Sequence, residues 1–289
     1  SFGREEVLFG NGGDSGEVGE GRPLLRRILR RRETLQAYPE LGPTLVFVAL
    51  VAVIYFYGAI RLQVRLGEPG LLYSELALLL VPALLFLYFG GYRPHTALAL
   101  RRPGGREILA AVLIIGGGTP MVWFLTWAQG FVLPMPWEFM EGMSDFLAAD
   151  TPWRVVWLLL LVAVTPAVCE EVLFRGVLLG GTRRSLPPLG VIVLNGLVFG
   201  AFHIPHATVF RFLPSAALGM LLAWVVLRTR SIWPAMLMHF LNNGSIVIMS
   251  SSPWLRDRFS DPEAAPPLWL ALPAVLFLVL GGRILEGKE

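Results

Sequence analysis

Trp157-Leu-Leu-Leu-Leu-Val-Ala-Val-Thr-Pro166 on one side and Gly176-Val-Leu-Leu-Gly180 on the other enclose Glu170-Glu171-Val172-Leu173-Phe174-Arg175. The flanks suit lipid and the enclosed hexapeptide does not. An ionised side chain at the bilayer centre costs roughly 2.5–3.5 kcal/mol on insertion scales, so a span that keeps three of them has a use for them. Glu171 and Arg175 stand at i,i+4 with the acid N-terminal, the favourable order for an ion pair on one helix face. Glu170 is turned ~100° from Glu171 and lies five residues from Arg175, which leaves it outside that pair. The spacing predicts a division of labour in which Arg175 neutralises Glu171 while Glu170 faces a cavity, where a carboxylate suits general-base work. A clasp that only holds helices together accounts equally well for Glu171 and Arg175, but it leaves Glu170 unexplained.

Working outward, the rest of the chain has the same character. Of 289 residues, 55% are hydrophobic and 16% charged, and mean hydropathy is +0.62. Soluble domains carry about 25% charged residues, so the composition indicates a polytopic membrane protein. Eight apolar runs, at about 43–62, 71–92, 107–130, 153–180, 188–204, 212–228, 231–250 and 267–284, come near the ~20 residues a helix needs to cross ~30 Å of hydrocarbon. They lack the apolar/polar alternation of barrel strands, so helices are expected. The expected fold is all-α: a polytopic membrane domain over 43–289, with eight transmembrane helices enclosing an intramembrane active-site cavity.

Residues 1–21, rich in Gly, Glu and Asp, are expected to be a disordered tail, and Gly13-Asp14-Ser15-Gly16 within it is a chance imitation of a serine-protease signature. Segment 22–42 interleaves Arg22, Arg26, Arg27, Arg30, Arg31 and Arg32 with Leu24, Leu25, Ile28 and Leu29, the pattern of a basic amphipathic segment on an anionic leaflet. The first apolar run begins after residue 42, so no cleavable signal peptide is expected. The single Cys169 excludes an internal disulfide framework and a Cys-rich metal site.

The loops orient the bundle. With the N-terminus inside, the inner segments hold Arg4, the six arginines above, Arg93, Arg101, Arg102, Arg106, Arg183, Arg184, Arg228, Arg230, Arg283 and Lys288, 17 in all. The outer segments hold six: Arg61, Arg65, Arg154, Arg211, Arg256 and Arg258. The positive-inside rule therefore predicts eight spans with both termini cytoplasmic, in a membrane that the Arg-rich inner surface suggests is the bacterial inner (plasma) membrane. This distribution suits a lipid bilayer and not a nucleic-acid partner.

Two further runs carry polar residues. In the fifth, Asn195, Phe199 and His203 recur at i, i+4, i+8, one helix face, and Pro205 just beyond is expected to break the helix. His206 is expected to be structural or solvated. In the seventh, His239 and Asn243 share a face, and Asn242 is turned ~100° away. Taken singly, each pair is as well explained by a helix–helix hydrogen bond, worth about 0.6 kcal/mol on average. Counting ~1.5 Å per residue from the cytoplasmic ends puts Glu170 at ~15 Å, His239 at ~12 Å, Asn243 at ~18 Å and His203 at ~24 Å. Helix tilts averaging ~20° can absorb the mismatch, so depth allows one shared site.

Glu170-Glu171-Val172-Leu173-Phe174-Arg175, Phe199-Gly-Ala-Phe-His203 and His239-Phe-Leu-Asn242-Asn243 together resemble the CPBP family of CAAX proteases and bacteriocin-processing enzymes, also called the Abi family. The resemblance is strong over about 150–250 and places the catalytic motifs in 165–245. It implies intramembrane proteolysis in which Glu170 and His203 activate a water and His239 and Asn243 stabilise the oxyanion. Glu171, Arg175 and Phe199 would support them. No cofactor is expected. A zinc-dependent version would use Glu170, His203 and His239, although His-Glu-x-x-His is absent and Asn243 is a poor zinc ligand. The implied partner is a protein or peptide substrate with a membrane-embedded or lipidated segment, cut near its C-terminus or close to the membrane. The rival class is a non-enzymatic transporter, immunity factor or scaffold, since intramembrane charges also mark transport paths. The two halves show no convincing inverted repeat that would favour a transporter.

Overall fold

The computed structural model describes residues 35–133, 136–204, 209–252, 254–255 and 265–287. The tail 1–21, the arginines of 22–32, the Gly13–Gly16 stretch and His206 lie outside them. Within the described residues the chain is helical, and its only β pairing is two isolated bridges, Gln36 with Tyr92 and Leu100 with Ser231. It is an all-α, polytopic membrane protein.

Among the described residues, nine helices organise it. They are α1 Leu41–Leu66, α2 Glu68–Phe89, α3 Gly105–Gln129, α4 Trp137–Leu147, α5 Pro152–Thr182, α6 Pro188–Ala201, α7 Val209–Thr229, α8 Trp233–Ser251 and α9 Leu268–Glu286. Six of these, α1, α2, α3, α5, α7 and α9, are long and apolar enough to cross a membrane. The expected count of eight is therefore not reproduced. The two runs that fall short are the fifth and seventh. α6 stops at Ala201 after 14 residues, which at ~1.5 Å each gives about 21 Å. α8 has 19 residues but spends three on His239, Asn242 and Asn243.

α5 is the axis of the molecule. Its 31 residues run without a break, but two stretches, Leu159–Val164 and Val172–Leu178, widen to π-helical turns on either side of Thr165–Glu171. Pro166 explains part of this. It has no N–H to give the carbonyl four residues back, Val162. That carbonyl is satisfied from another helix, because Asn243 Nδ2 donates to Val162 O at 3.0 Å. Such π insertions rotate the following residues relative to the preceding turn and are frequent at functional sites. Here they set the orientation of Glu170 and Glu171.

α6 packs on α7 through small residues. Gly196 and Gly200, at i,i+4, form a Gly-x-x-x-Gly face, the pattern that lets membrane helices approach closely. A Cβ added at Gly200 would lie 2.6 Å from Phe212 O, and one at Gly219 would lie 3.0 Å from Gly196 Cα. This close approach carries Phe199 and His203 toward α5. At the other end Arg101 pairs with Glu107 at 2.7 Å and also donates to Thr229 O, tying the loop before α3 to the end of α7.

Candidate active site

A cavity of about 770 Å³ opens among α1, α2, α3, α4, α5, α7 and α8, and Glu170, His203 and Asn243 all line it. Three residues from three separate sequence motifs thus share one space. The straight-helix depth count places His203 about 8 Å too far out. α6 ends before His203, whose backbone N–H bonds Gly200 O at 3.0 Å in a tighter turn.

Glu170 is 9% exposed, and its Oε2 has no hydrogen-bond partner among the described residues. Its neighbour Glu171 is fully buried and engaged through Oε1, while its Oε2 likewise has no partner among the described residues. Glu171 Oε1 accepts from Arg175 Nη1 at 3.0 Å and from His239 Nδ1 at 2.9 Å. Arg175, 0% exposed, also donates through Nη2 to Gly219 O at 3.0 Å. Its guanidinium carbon lies 4.6 Å from the centre of the Phe199 ring, within cation–π range. The same ring meets His203 at 4.8 Å and His239 edge-on at 5.7 Å. Phe199 is the hub against which the two histidines and the arginine are packed.

Hydrogen bonding fixes the chemistry available to each group. His203 Nδ1 lies 2.8 Å from Phe199 O. A carbonyl only accepts, so Nδ1 carries the proton, and in the neutral ring Nε2 bears the lone pair. Asn243 accepts from Asn242 Nδ2 at 3.1 Å and donates one N–H to Val162 O, which leaves its second amide hydrogen for a group in the cavity. Asn242, which the helical spacing turned away, is held by Thr119 at 3.1 Å and orients Asn243 in turn.

His239 lies differently from the expectation. It is 2% exposed, bonded to Glu171, and is not among the residues that line the cavity. With Nδ1–H given to a carboxylate, Nε2 is a donor only in the doubly protonated ring. The zinc set Glu170, His203 and His239 does not fit this arrangement. His239 bonds Glu171 and is not among the residues that line the cavity the other two share. Among the described residues no group of three or more His, Cys, Asp or Glu is placed to hold a metal ion.

Tyr55, Glu75 and Arg211 are among the polar groups of the cavity that went unread in the sequence. Glu75 is 2% exposed and accepts from Tyr55 Oη at 3.0 Å. The rule that singled out Glu170, an acid inside an apolar run, applies to Leu71-Leu-Tyr-Ser-Glu75-Leu-Ala-Leu-Leu-Leu80 just as well. Arg211, counted with the outer loop, lines the cavity instead, with its guanidinium 5.9 Å from the Phe139 ring of α4. Its backbone is positioned by Gln129 Nε2, which donates to the neighbouring Phe210 O at 2.7 Å.

The α-helical membrane bundle thus gathers a carboxylate, an imidazole and an amide around one internal cavity. Residues 152–245, which contain all three motifs, match the family described as Type II CAAX prenyl endopeptidase Rce1-like. The chain is also similar to the "Putative membrane peptidase YdiL" of Bacillus subtilis (strain 168), with 25% identity over 113 residues. That match covers 39% of this chain and 45% of the relative, so it spans less than half the relative's length. No solved structure matches the chain.

Proposed function

We propose that the chain is an intramembrane endopeptidase that hydrolyses a peptide bond in the cavity lined by Glu170, His203 and Asn243. The observation that carries this reading is Glu170, a nearly buried acid with an unpartnered oxygen in the same cavity as an imidazole and an amide donor. In the step proposed, a water O–H breaks and its proton passes to Glu170, while His203 Nε2 accepts the second O–H as a hydrogen bond. The water oxygen bonds to the scissile carbonyl carbon, and the carbonyl π pair moves onto its oxygen. The remaining N–H of Asn243 serves to stabilise that oxyanion, the contribution that prearranged donors supply best in a site poor in water. The C–N bond then breaks as the proton on Glu170 passes to the leaving nitrogen, giving a carboxyl and an amine product.

His239 takes a different part here from the oxyanion donor that the family resemblance implied. With Arg175 it braces Glu171, which holds the following turn of α5 and so the direction of Glu170. The proposed mechanism is metal-free. The substrate is proposed to be a protein or peptide with a membrane-embedded or lipidated segment, cut near its C-terminus or close to the membrane. The cavity's largely apolar wall favours a hydrophobic segment (Leu71, Phe146, Phe174 and Phe202 among its residues). We also propose the bacterial inner membrane with both termini cytoplasmic, on the strength of the basic-residue count; reporter fusions in each loop test the orientation.

The test uses purified protein in liposomes. Glu170→Gln and His203→Ala should remove cleavage of a membrane peptide that the wild type cuts, with the folded protein unchanged in yield and melting midpoint. Wild-type cleavage by Glu170→Gln would return the chain to the non-enzymatic readings.

A further inference from the structure

Glu75 has no part in the hydrolysis described above, yet it lines the same cavity as Glu170. It lies on a π-helical stretch of α2, Ser74–Leu80, and is 2% exposed. Tyr55, reaching across from α1, donates to its Oε1 at 3.0 Å. Its Oε2 has no hydrogen-bond partner among the described residues, and the same is true of Oε2 of Glu170. The helical stretches that carry the two carboxylates, Ser74–Leu80 and Thr165–Glu171, pack against each other. Arg211 from α7 and Tyr55 from α1 line the same cavity, and Glu171 and Arg175 stand on the helix that carries Glu170.

A buried polar atom without a partner is rare enough in a folded protein to need a reason. A simple tie between α1 and α2 explains Glu75 Oε1 but leaves Oε2 without an account, and a glutamine would make the same tie without placing an acid in an apolar run. Both glutamates line one cavity, and a carboxylate oxygen that only accepts calls for a hydrogen donor beside it. Water fits, because a polar pocket holds water where it offers two to four partners, and Glu75, Glu170, His203 and Asn243 together offer them. We propose that Glu75, oriented by Tyr55, is a positioning residue for the hydrolysis: its second oxygen holds the water chain that aligns the nucleophilic water on Glu170. This rests on the protease reading of Glu170.

The experiment measures kcat and KM of the full chain in liposomes on a membrane peptide that the wild type cuts, for Glu75→Gln, Glu75→Asp, Tyr55→Phe and Glu170→Gln. Glu75→Gln should lower kcat about 10- to 100-fold, the usual scale for a group that supports a catalytic one, and leave KM within about twofold. Glu75→Asp should recover part of the loss. Tyr55→Phe, which removes a single hydrogen bond and so spares the fold, should lower kcat in the same direction. In a Glu170→Gln background, Glu75→Gln should cost nothing further, because no base remains for the water to serve. A wild-type kcat in Glu75→Gln would overturn the proposal. So would a loss that follows the melting midpoint and that Asp does not restore. Wild-type cleavage by Glu170→Gln alone would instead sink the protease reading, and the two failures are told apart by that variant.

Discussion

Arg175→Met is the most informative perturbation of the scaffold behind the site. Arg175 and Glu171 are both 0% exposed and meet at 3.0 Å. Arg175 also donates to Gly219 O at 3.0 Å and covers the Phe199 ring at 4.6 Å. Methionine fills much the same volume but leaves the Glu171 carboxylate buried with only His239 against it. Removing one partner of a buried pair costs about 3–5 kcal/mol, because the remaining charge is uncompensated. Removing both charges is far milder, since apolar replacements of buried pairs are often near neutral. Arg175→Met and Glu171→Gln should therefore each destabilise strongly, and the double variant should cost less than their sum by about 0.5–3 kcal/mol, the range for groups in direct contact. Reversible unfolding in mixed micelles, followed by circular dichroism, reads these differences. The reasoning fails if Arg175→Met costs under about 1 kcal/mol, the scale of an exposed pair, or if the two single losses simply add.

Other consequences follow from the same geometry. Asn243→Ala leaves Val162 O without its donor and should cost about 1–3 kcal/mol. Adding Pro166→Ala should recover part of that stability, since an alanine at this position supplies the backbone N–H that Pro166 lacks, but it should not recover cleavage. A double variant no more stable than Asn243→Ala refutes the link. Treatment with a strong chelator followed by desalting should leave cleavage unchanged, because the candidate zinc donors do not converge. A loss restored by added zinc would reverse that reading.

Much of the architecture was legible because hydropathy and charge act over whole segments. The Glu171–Arg175 spacing reports a contact within one helix, and the i,i+4 rule suffices for it. Glu170 was separable from Glu171 for the same reason. What escaped was set between helices. His239 lay on the expected face of α8, but whether that face meets the cavity or Glu171 depends on how α5 is rotated by its π turns, and periodicity carries no record of that. The short reach of α6 was hidden because the apolar run continues past the last helical residue, Ala201. The count of spans failed at α6, which is too short, and at α8, where polar residues occupy a helix of sufficient length. Glu75 and Arg211 were visible as charges, but their convergence on Glu170 is a tertiary fact.

The central claim is that Glu170 activates a water for peptide hydrolysis, and the most direct measurement is cleavage in H₂¹⁸O by wild type and Glu170→Gln. The account predicts that wild-type product carries ¹⁸O from solvent in its new C-terminal carboxylate, and that Glu170→Gln lowers the rate by about 10²- to 10⁴-fold, the contribution expected of a general base. Glu170→Gln product formed at the wild-type rate with the same ¹⁸O content would contradict it.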